Sequence, residues 1–373
     1  MTDSLDDGRG VSTTTDRRVI ILKLLALAGL LYLFILSITI LGASFKLAGK
    51  GFAESIFTAT SSPIVGLMIG LLATAVVQSS STTTSIIVGL VASGIVSFEC
   101  AIPMVMGANI GTTVTNTIVS MAHISRGDEF KRAFAGSVVH DFFNLCAVVI
   151  LLPMQIYFNV VGVVAQYLGD VFTGFSGVEF KSPLAAIAKP LAGKIIAMTG
   201  KSAPISAISS VIMMFVALKY IVTVLKSLVL SKVERFFHRY IFRTPALGLI
   251  LGIVLTILVQ SSSITTSLVV PLLGAGVITL PQIFPYMLGA NVGTTVTAFL
   301  ASLVTGSPAA VSVAFAHLIF NVYGIIIFWP LKRIPIWMAE KLAQSTQKSK
   351  LFPILYIILV FFVLPGTVLL VMR

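Results

Sequence analysis

The sequence predicts an all-α polytopic membrane protein with two inverted-topology repeats, each containing a re-entrant helical hairpin and a broken transmembrane helix. Three observations predict this fold class. Hydrophobic residues make up 57% of the 373 positions and charged residues 10%, whereas a soluble domain has roughly 25% charged residues. Apolar runs reach the ~20 residues that cross a hydrocarbon core. Finally, a polar octet interrupts the apolar sequence twice, at residues 78–85 (octet 1) and 260–267 (octet 2).

The distribution of charge argues against a nucleic-acid-binding protein, in spite of a net charge of +12. Lys and Arg are absent from residues 51–125 and 244–331, and they lie mostly in connecting segments, as expected for cytoplasmic loops. We therefore expect the lipid bilayer, and no nucleic acid, as a partner. Cys100 and Cys146 lie in apolar surroundings, which predicts buried thiols and no disulfide scaffold.

The first repeat is predicted at residues 19–153, after a cytoplasmic tail at residues 1–18. It begins with a transmembrane span at 19–41 and continues with a hairpin at 63–94, which has octet 1 at its centre. About 14 residues on each side of the polar tip of this hairpin are too few to cross the bilayer. We therefore expect two half-helices that enter and leave on one side, with their polar backbone surrounded by protein or by a water-filled cavity.

Two further spans complete the first repeat. The span at residues 101–121 is interrupted by Gly-Ala-Asn-Ile-Gly-Thr-Thr-Val-Thr at residues 107–115 (signature 1), and the next span is at 133–153. Residues 154–205 are mixed, with six charged residues and several Gly and Pro among apolar residues. This composition predicts a connecting loop with interfacial helices between the two repeats.

The second repeat is predicted at residues 206–331 and contains the elements of the first. A hairpin at 245–276 contains octet 2, and a broken span at 282–303 contains signature 2 (residues 289–297). Signature 2 begins at the same distance after octet 2 as signature 1 after octet 1. A basic segment and a last helix are expected at residues 332–373.

The positive charges predict how the repeats are oriented. With the N-terminus in the cytoplasm, the basic segments 126–132, 226–243 and 332–350 all lie on the cytoplasmic side. Three spans separate the hairpins, so the second hairpin enters from the opposite face. Inverted-topology repeats of this kind are the architecture of many secondary transporters. If residues 154–172 also cross the membrane, the repeats are parallel instead.

The octets have the chemistry of an anion site. A half-helix that begins in mid-membrane exposes unpaired N–H groups and partial positive charge, which attract anions. Ser and Thr at that end cap the helix and add hydroxyl donors. The core segments at 51–125 and 244–331 contain no Lys or Arg, so neutral donors must hold the anion there and co-bound cations must supply countercharge. This favours cation-coupled uptake over an anion pore lined with Arg or Lys.

The two signatures have the chemistry of a cation site. Carbonyl groups at helix ends, with Ser, Thr, Asn and Gln oxygens, suit a small hard cation such as Na⁺. The glycines tolerate the torsions of an unwound backbone, which would expose further carbonyl groups. The side chains in the signatures that we take as candidate Na⁺ ligands are Asn109, Thr113, Asn291 and Thr295.

His140 and Asn144 form an i, i+4 pair that recurs as His317 and Asn321. We interpret the two histidines as hydrogen-bond partners between helices. Asp141 is an acidic residue in a span core, and intramembrane ionisable residues are functional candidates by default. Asp141 is therefore a candidate Na⁺ ligand, the alternative being a structural pair with a neighbouring donor.

Residues 103–120 read PMVMGANIGTTVTNTIVS and residues 129–144 read EFKRAFAGSVVHDFFN. With the octets QSSSTTTS and QSSSITTS, these motifs resemble the type II sodium-dependent phosphate cotransporter family. The resemblance implies Na⁺-driven uptake of inorganic phosphate by alternating access, with Na⁺ as a co-transported ion and no resident cofactor. It implies that these residues line the phosphate site: Gln78, Ser79, Ser80, Ser81, Gln260, Ser261, Ser262 and Ser263.

The resemblance also implies cation ligands and a charge balance. Thr112, Asn144 and Thr294 fall where the family places Na⁺-site residues, and Asp141 falls where electrogenic members carry an aspartate. Electrogenic transport of divalent phosphate with three Na⁺ is implied. His123 and Arg126 depart from the Gln and Asp of vertebrate members, and the connection at 154–205 is shorter and lacks cysteine. These short connections favour a bacterial member in the inner membrane.

Three other functions are compatible with parts of the pattern. The same architecture could carry another small anion, such as sulfate or a dicarboxylate. An anion channel would conduct without Na⁺ dependence. An intramembrane serine hydrolase would use Ser79, Ser80 or Ser81 with His140 as the base, but such an enzyme has no use for a second set of serines. We therefore expect a transporter and not an enzyme.

Overall fold

The fold, taken from a computed structural model, is entirely helical in the described part of the chain. The described residues are 13–60, 62–174, 183–240, 244–347, 349 and 351–372, so most of the predicted cytoplasmic tail lies outside them. Within these residues, six helices are long and apolar enough to cross a membrane. The all-α prediction is confirmed, and these six helices support a polytopic membrane protein.

The helices of the first half are α1 (Thr13–Thr60, with a kink at Gly49), α2 (Pro63–Val77), α3 (Ser80–Ala92), α4 (Phe98–Gly111), α5 (Val114–Ser120), α6 (Gly127–Phe158), α7 (Val160–Gly174) and α8 (Pro183–Met198). Those of the second half are α9 (Ala203–Tyr240), α10 (Pro245–Val259), α11 (Ser262–Ser267), α12 (Val270–Gly274), α13 (Leu280–Thr305), α14 (Pro308–Phe328), α15 (Arg333–Ser345), α16 (Phe352–Ile358) and α17 (Leu364–Val371). A π-helical turn joins α16 to α17.

The octets occupy equivalent helix–turn–helix units. Helices α2 and α10 are both 15 residues long and begin at a proline, which is tolerated there because the first helical N–H groups have no partner within the helix. Both end at a glutamine in the left-handed region, with φ 57° and ψ 26° at Gln78 and φ 55° and ψ 27° at Gln260. The repeated sequence thus produces the same local backbone twice.

The prediction of a broken helix is confirmed in the first half and wrong in the second. Helices α4 and α5 are separated at Thr112 and Thr113, just after the signature 1 glycines. Helix α13 runs without interruption from Leu280 to Thr305, so signature 2 is entirely helical. The signature glycines themselves are helical in both halves. The prediction that they unwind the backbone is therefore wrong.

The signature glycines instead allow two helices to approach closely. A Cβ atom on Gly107 of α4 would lie 1.9 Å from the carbonyl oxygen of Leu67 in α2, and one on Gly289 of α13 would lie 2.0 Å from that of Leu249 in α10. No side chain fits in that space. Each signature helix is thereby held directly against the first helix of its hairpin.

The predicted connection at residues 154–205 is largely helical where it is described. Helix α6 continues through residue 153 to Phe158, so the predicted boundary falls inside a helix. Helix α7 packs on α14, where Gly169 lies against Ser312, and α8 packs on α1. Both helices therefore contact the predicted repeats directly.

The core of the molecule lies between the two halves. Phe143 of α6 makes edge-to-face contacts with Phe284 of α13 and Phe328 of α14, each at 6.1 Å between ring centroids. Helix α13 also packs on α3, and α14 packs on α4. This interlocking places the polar side chains of one half against those of the other.

Candidate functional site

The two octets meet at one cavity of about 260 Å³. All eight residues predicted for the phosphate site line it, which are Gln78, Ser79, Ser80, Ser81, Gln260, Ser261, Ser262 and Ser263. The remaining wall comes mainly from one face of α9. Segments that are far apart in the sequence are thus brought together at a single site.

Serines cap the helices that begin at this cavity. Ser79 has an extended backbone, and its Oγ accepts a hydrogen bond from the N–H of Thr82 at 3.2 Å. Ser261 has the same conformation and accepts from the N–H of Ile264 at 3.4 Å. Such a cap satisfies one of the unpaired N–H groups at a helix start. The 13-residue helix α3 therefore begins at the cavity with its partial positive charge.

The octet glutamines hold the two turns in place. Oε1 of Gln78 accepts a hydrogen bond from Thr115 Oγ1 at 2.9 Å, and Oε1 of Gln260 accepts one from Thr297 Oγ1 at the same distance. The glutamine amide groups donate to carbonyl groups of their own helix ends. Thr115 and Thr297 were not singled out in the sequence, although 37 positions separate glutamine and threonine in both copies.

A buried polar network connects the two halves through their histidines. His140 Nε2 is paired with Asn291 Oδ1 of signature 2, and His140 Nδ1 lies 2.8 Å from Thr113 Oγ1. Reciprocally, His317 Nε2 lies 3.3 Å from Asn109 Oδ1 of signature 1. The prediction that the histidines are hydrogen-bond partners between helices is confirmed. Each histidine contacts the signature of the other half.

Asn144 joins the same network. Its Nδ2 donates to the backbone oxygen of Asn109 at 3.1 Å, and its Oδ1 accepts from Nδ2 of Asn291 at 2.9 Å. The three asparagines and Thr113, all predicted as Na⁺ ligands, therefore lie together. The other three threonines predicted as Na⁺ ligands donate to carbonyl groups of their own helices; these are Thr112, Thr294 and Thr295.

Asp141 is buried with one carboxylate oxygen unsatisfied. Its exposure is 1%, and Oδ2 accepts a hydrogen bond from the hydroxyl of Tyr356 in α16 at 3.0 Å. Oδ1 has no hydrogen-bond partner in the described part of the chain, and the same holds for His317 Nδ1 and Asn321 Oδ1. An unpaired buried oxygen is unfavourable, and a small cation would satisfy it.

His140 is not positioned to act as the general base for a serine nucleophile. Its two ring nitrogens are paired with Thr113, Asn144 and Asn291, and no octet serine is among the partners that the described residues provide. A serine nucleophile needs a base within hydrogen-bond reach. His140, which the hydrolase alternative requires as its base, therefore does not serve the octet serines.

The sequence analysis expected neutral donors alone at the octets, but one lysine also lines their cavity. Lys219 of α9 lines the cavity together with the octets. The sequence placed this lysine within a span at residues 206–230, but only the hairpins and signatures were considered as walls of the site. Which helix covers the octets depends on tertiary packing, which the spacing of motifs does not reveal.

Asn116 is a further residue that the sequence did not identify as part of the site. Its Nδ2 donates to Thr266 Oγ1 at 2.8 Å, and its Oδ1 accepts from Ser267 Oγ at 2.9 Å. Octet 2 is thus held by a side chain of the first half. The equivalent residue in the second half is Ala298, which has no group for a matching bond to octet 1.

These features define a helical membrane protein whose polar interior is built from two copies of the same motifs, a class that includes many secondary transporters. A family model described as Na+/Pi-cotransporter matches two stretches, residues 33–180 and 192–340. The chain belongs to this family. The resemblance inferred from the motifs is confirmed, and the family is one of transporters, not enzymes.

Curated relatives agree with the family assignment. The chain is 32% identical to "Sodium-dependent phosphate transport protein 2B" of Pongo abelii, over 93% of this chain and 65% of the relative. It is 33% identical to "Sodium-dependent phosphate transport protein 2A" of Rattus norvegicus, over 93% of this chain and 67% of the relative. The chain therefore spans about two thirds of the length of these relatives. No solved structure matches it.

Proposed function

We propose that this protein is a secondary active symporter that couples Na⁺ influx to the uptake of inorganic phosphate across the plasma membrane. The observation that carries the proposal is the convergence of both octets on one cavity. The names of the relatives supply the substrate and the coupling ion. The short connections favour a bacterial inner membrane.

Phosphate would bind among the octet residues of the cavity. Ser79 and Ser261 fix the two turns, and the hydroxyls of Ser80, Ser81 and Ser262 lie on helices that begin there. Hydroxyl and backbone N–H donors suit the oxygen atoms of a phosphate ion. Gln78 and Gln260 also line this site, and the hydrogen bonds that their amide groups make within the protein keep the turns rigid.

Na⁺ would bind in the buried oxygen-rich network. The candidate ligands share an oxygen-bearing side chain in or beside the signatures: Asn109, Thr112, Thr113, Asp141, Asn144, Asn291, Thr294 and Thr295. The unsatisfied Oδ1 of Asp141 supports a cation there, because a cation would neutralise an otherwise unpaired buried carboxylate. Such a site makes phosphate transport by this chain electrogenic, with Asp141 contributing one negative charge.

We assign alternating access to two inverted repeats at residues 19–153 and 206–331, joined by residues 154–205. Helices α2 and α3 contain 15 and 13 residues, which is too short to cross a bilayer that requires about 20. This length supports a re-entrant hairpin in each repeat. A site shared by two such hairpins is reached from either side when one repeat moves against the other.

Uptake of radiolabelled phosphate into proteoliposomes tests the proposed function. An inward Na⁺ gradient should drive accumulation above equilibrium, and an equal K⁺ gradient should not. Uptake that ignores Na⁺ would reject the coupling, and phosphate currents without any Na⁺ would indicate an anion channel. Excess unlabelled sulfate or a dicarboxylate should leave uptake unchanged; strong competition by either would assign the site to that anion.

A further inference from the structure

Lys219 lies on the wall of the cavity that both octets line. All other residues of this wall, within the described part of the chain, are uncharged. Serines of octet 1 and octet 2 also line this cavity, so Lys219 is the one charged residue beside a site formed by neutral donors.

The position of Lys219 follows from one face of α9. Phe215, Leu218, Lys219, Val222 and Thr223 all line the cavity, and their spacing is that of a single helical face. Helix α9 packs on α1 and also contacts α3 and α10, the helices that flank the octet turns. This packing directs the face with Lys219 to the octets.

A lysine at this position needs a physical reason. It lies within Ala203–Leu225, a segment apolar enough to cross a membrane, where a charged side chain is unfavourable. No carboxylate pairs with Lys219 among the residues that the structure describes. There are two explanations. The ammonium group extends to the lipid headgroups, or it interacts with an anion in the cavity.

We infer that Lys219 supplies a fixed positive charge that draws a small oxyanion, here phosphate, into the cavity and balances part of its charge. The inference rests on the proposed function and adds a residue outside the duplicated motifs. The octet serines donate the directional hydrogen bonds. The ammonium group of Lys219 acts differently. It attracts an anion over a longer distance, and its flexible side chain can move with the anion into the cavity.

The variant Lys219→Gln tests this role through the KM for phosphate. Loss of a partly solvent-exposed charge should raise this KM about tenfold, with a much smaller change in kcat and in the KM for Na⁺. Ionic strength provides a second readout. In the wild type, added impermeant salt should raise the KM for phosphate because salt screens the lysine, and Lys219→Gln should lose most of that dependence.

Two further variants control the experiment. Lys219→Arg retains the charge and should keep the KM for phosphate within about threefold of the wild type. Lys194→Gln removes the same charge from α8, away from the cavity, and should behave as the wild type. A lysine that only reaches the headgroups would give a wild-type KM and a wild-type salt dependence in Lys219→Gln, and that result overturns the inference. An equal loss in Lys219→Arg and Lys219→Gln also overturns it.

Equilibrium binding separates this inference from the proposed function. Radiolabelled phosphate should bind the purified, detergent-solubilised wild type with a Kd about tenfold lower than that of Lys219→Gln. If the two Kd values differ about tenfold but a Na⁺ gradient does not drive uptake, the symport proposal fails and the role of Lys219 in phosphate binding stands. If uptake is Na⁺-driven and the two Kd values agree, the role of Lys219 is rejected alone.

Discussion

Single polar residues have two kinds of role in this interior. The octet glutamines and the serine caps make hydrogen bonds within the protein that hold the shape of the site. Asp141, in contrast, has one filled and one unfilled oxygen. This unfilled oxygen supports the proposal that Asp141 is a Na⁺ ligand, because the described part of the protein does not satisfy it.

The negative charge of Asp141 should determine the net charge that crosses the membrane with each transported phosphate. We expect Asp141→Gly to abolish net charge movement while it preserves part of the Na⁺-driven uptake. The measurement is phosphate-induced current from proteoliposomes, compared with tracer uptake by the same preparation. Asp141→Asn, which keeps the shape and removes the charge, should give the same loss of current. Currents of wild-type size in both variants would assign Asp141 a purely structural role beside Tyr356.

Sequence reasoning at this scale found the residues of the site more easily than their partners. The octet serines were predicted because two polar octets in apolar surroundings require an explanation. Thr115, Thr297 and Asn116 were missed, since the partner of a hydroxyl or an amide depends on how helices cross. Lys219 was missed for the same reason, because α9 is not part of a repeated motif.

At the scale of elements, the pairing of α13 with α10 depends on the absence of a side chain at Gly289. Gly289→Ala should destabilise the protein by about 1–3 kcal/mol, since its methyl group would overlap a backbone oxygen that cannot move independently. Thermal unfolding in detergent measures this change. Gly29→Ala in α1 is the matched control, with nothing within 4 Å of its Cβ, and should be neutral or slightly stabilising. Equal melting temperatures in the two variants would contradict the packing role.

The helix boundaries of the hairpins were largely predictable. Residues 63–94 and 245–276 were expected, and the structure has helices at Pro63–Val77 and Ser80–Ala92 and their counterparts from Pro245 to Gly274. Proline and polar capping residues mark these ends locally. The role of the signature glycines was misjudged, because glycine suits both an unwound backbone and a close helix contact, and only the neighbouring helix decides between them.

The whole molecule departs from two-fold equivalence at Asn116. This residue ties octet 2 to the first half, whereas Ala298 leaves octet 1 without such a bond. Asn116→Ala should loosen α11 and α12 and speed amide hydrogen exchange there about 5- to 150-fold, because the lost hydrogen bonds contribute about 1–3 kcal/mol. Exchange in α3 is the internal reference and should not change. Equal acceleration in both octets would indicate general destabilisation instead.

The exchange of partners between the halves has a consequence for how such a chain can exist. His140 contacts Asn291, and His317 contacts Asn109, so each half completes the buried groups of the other. In an isologous interface residue i meets residue j while j meets i, which is the pattern here. The two halves of the chain thus make the reciprocal contacts of a homodimer whose subunits are joined in one polypeptide. A fragment containing one half would carry both a histidine and its complementary asparagine, and would satisfy them only by associating with a second copy.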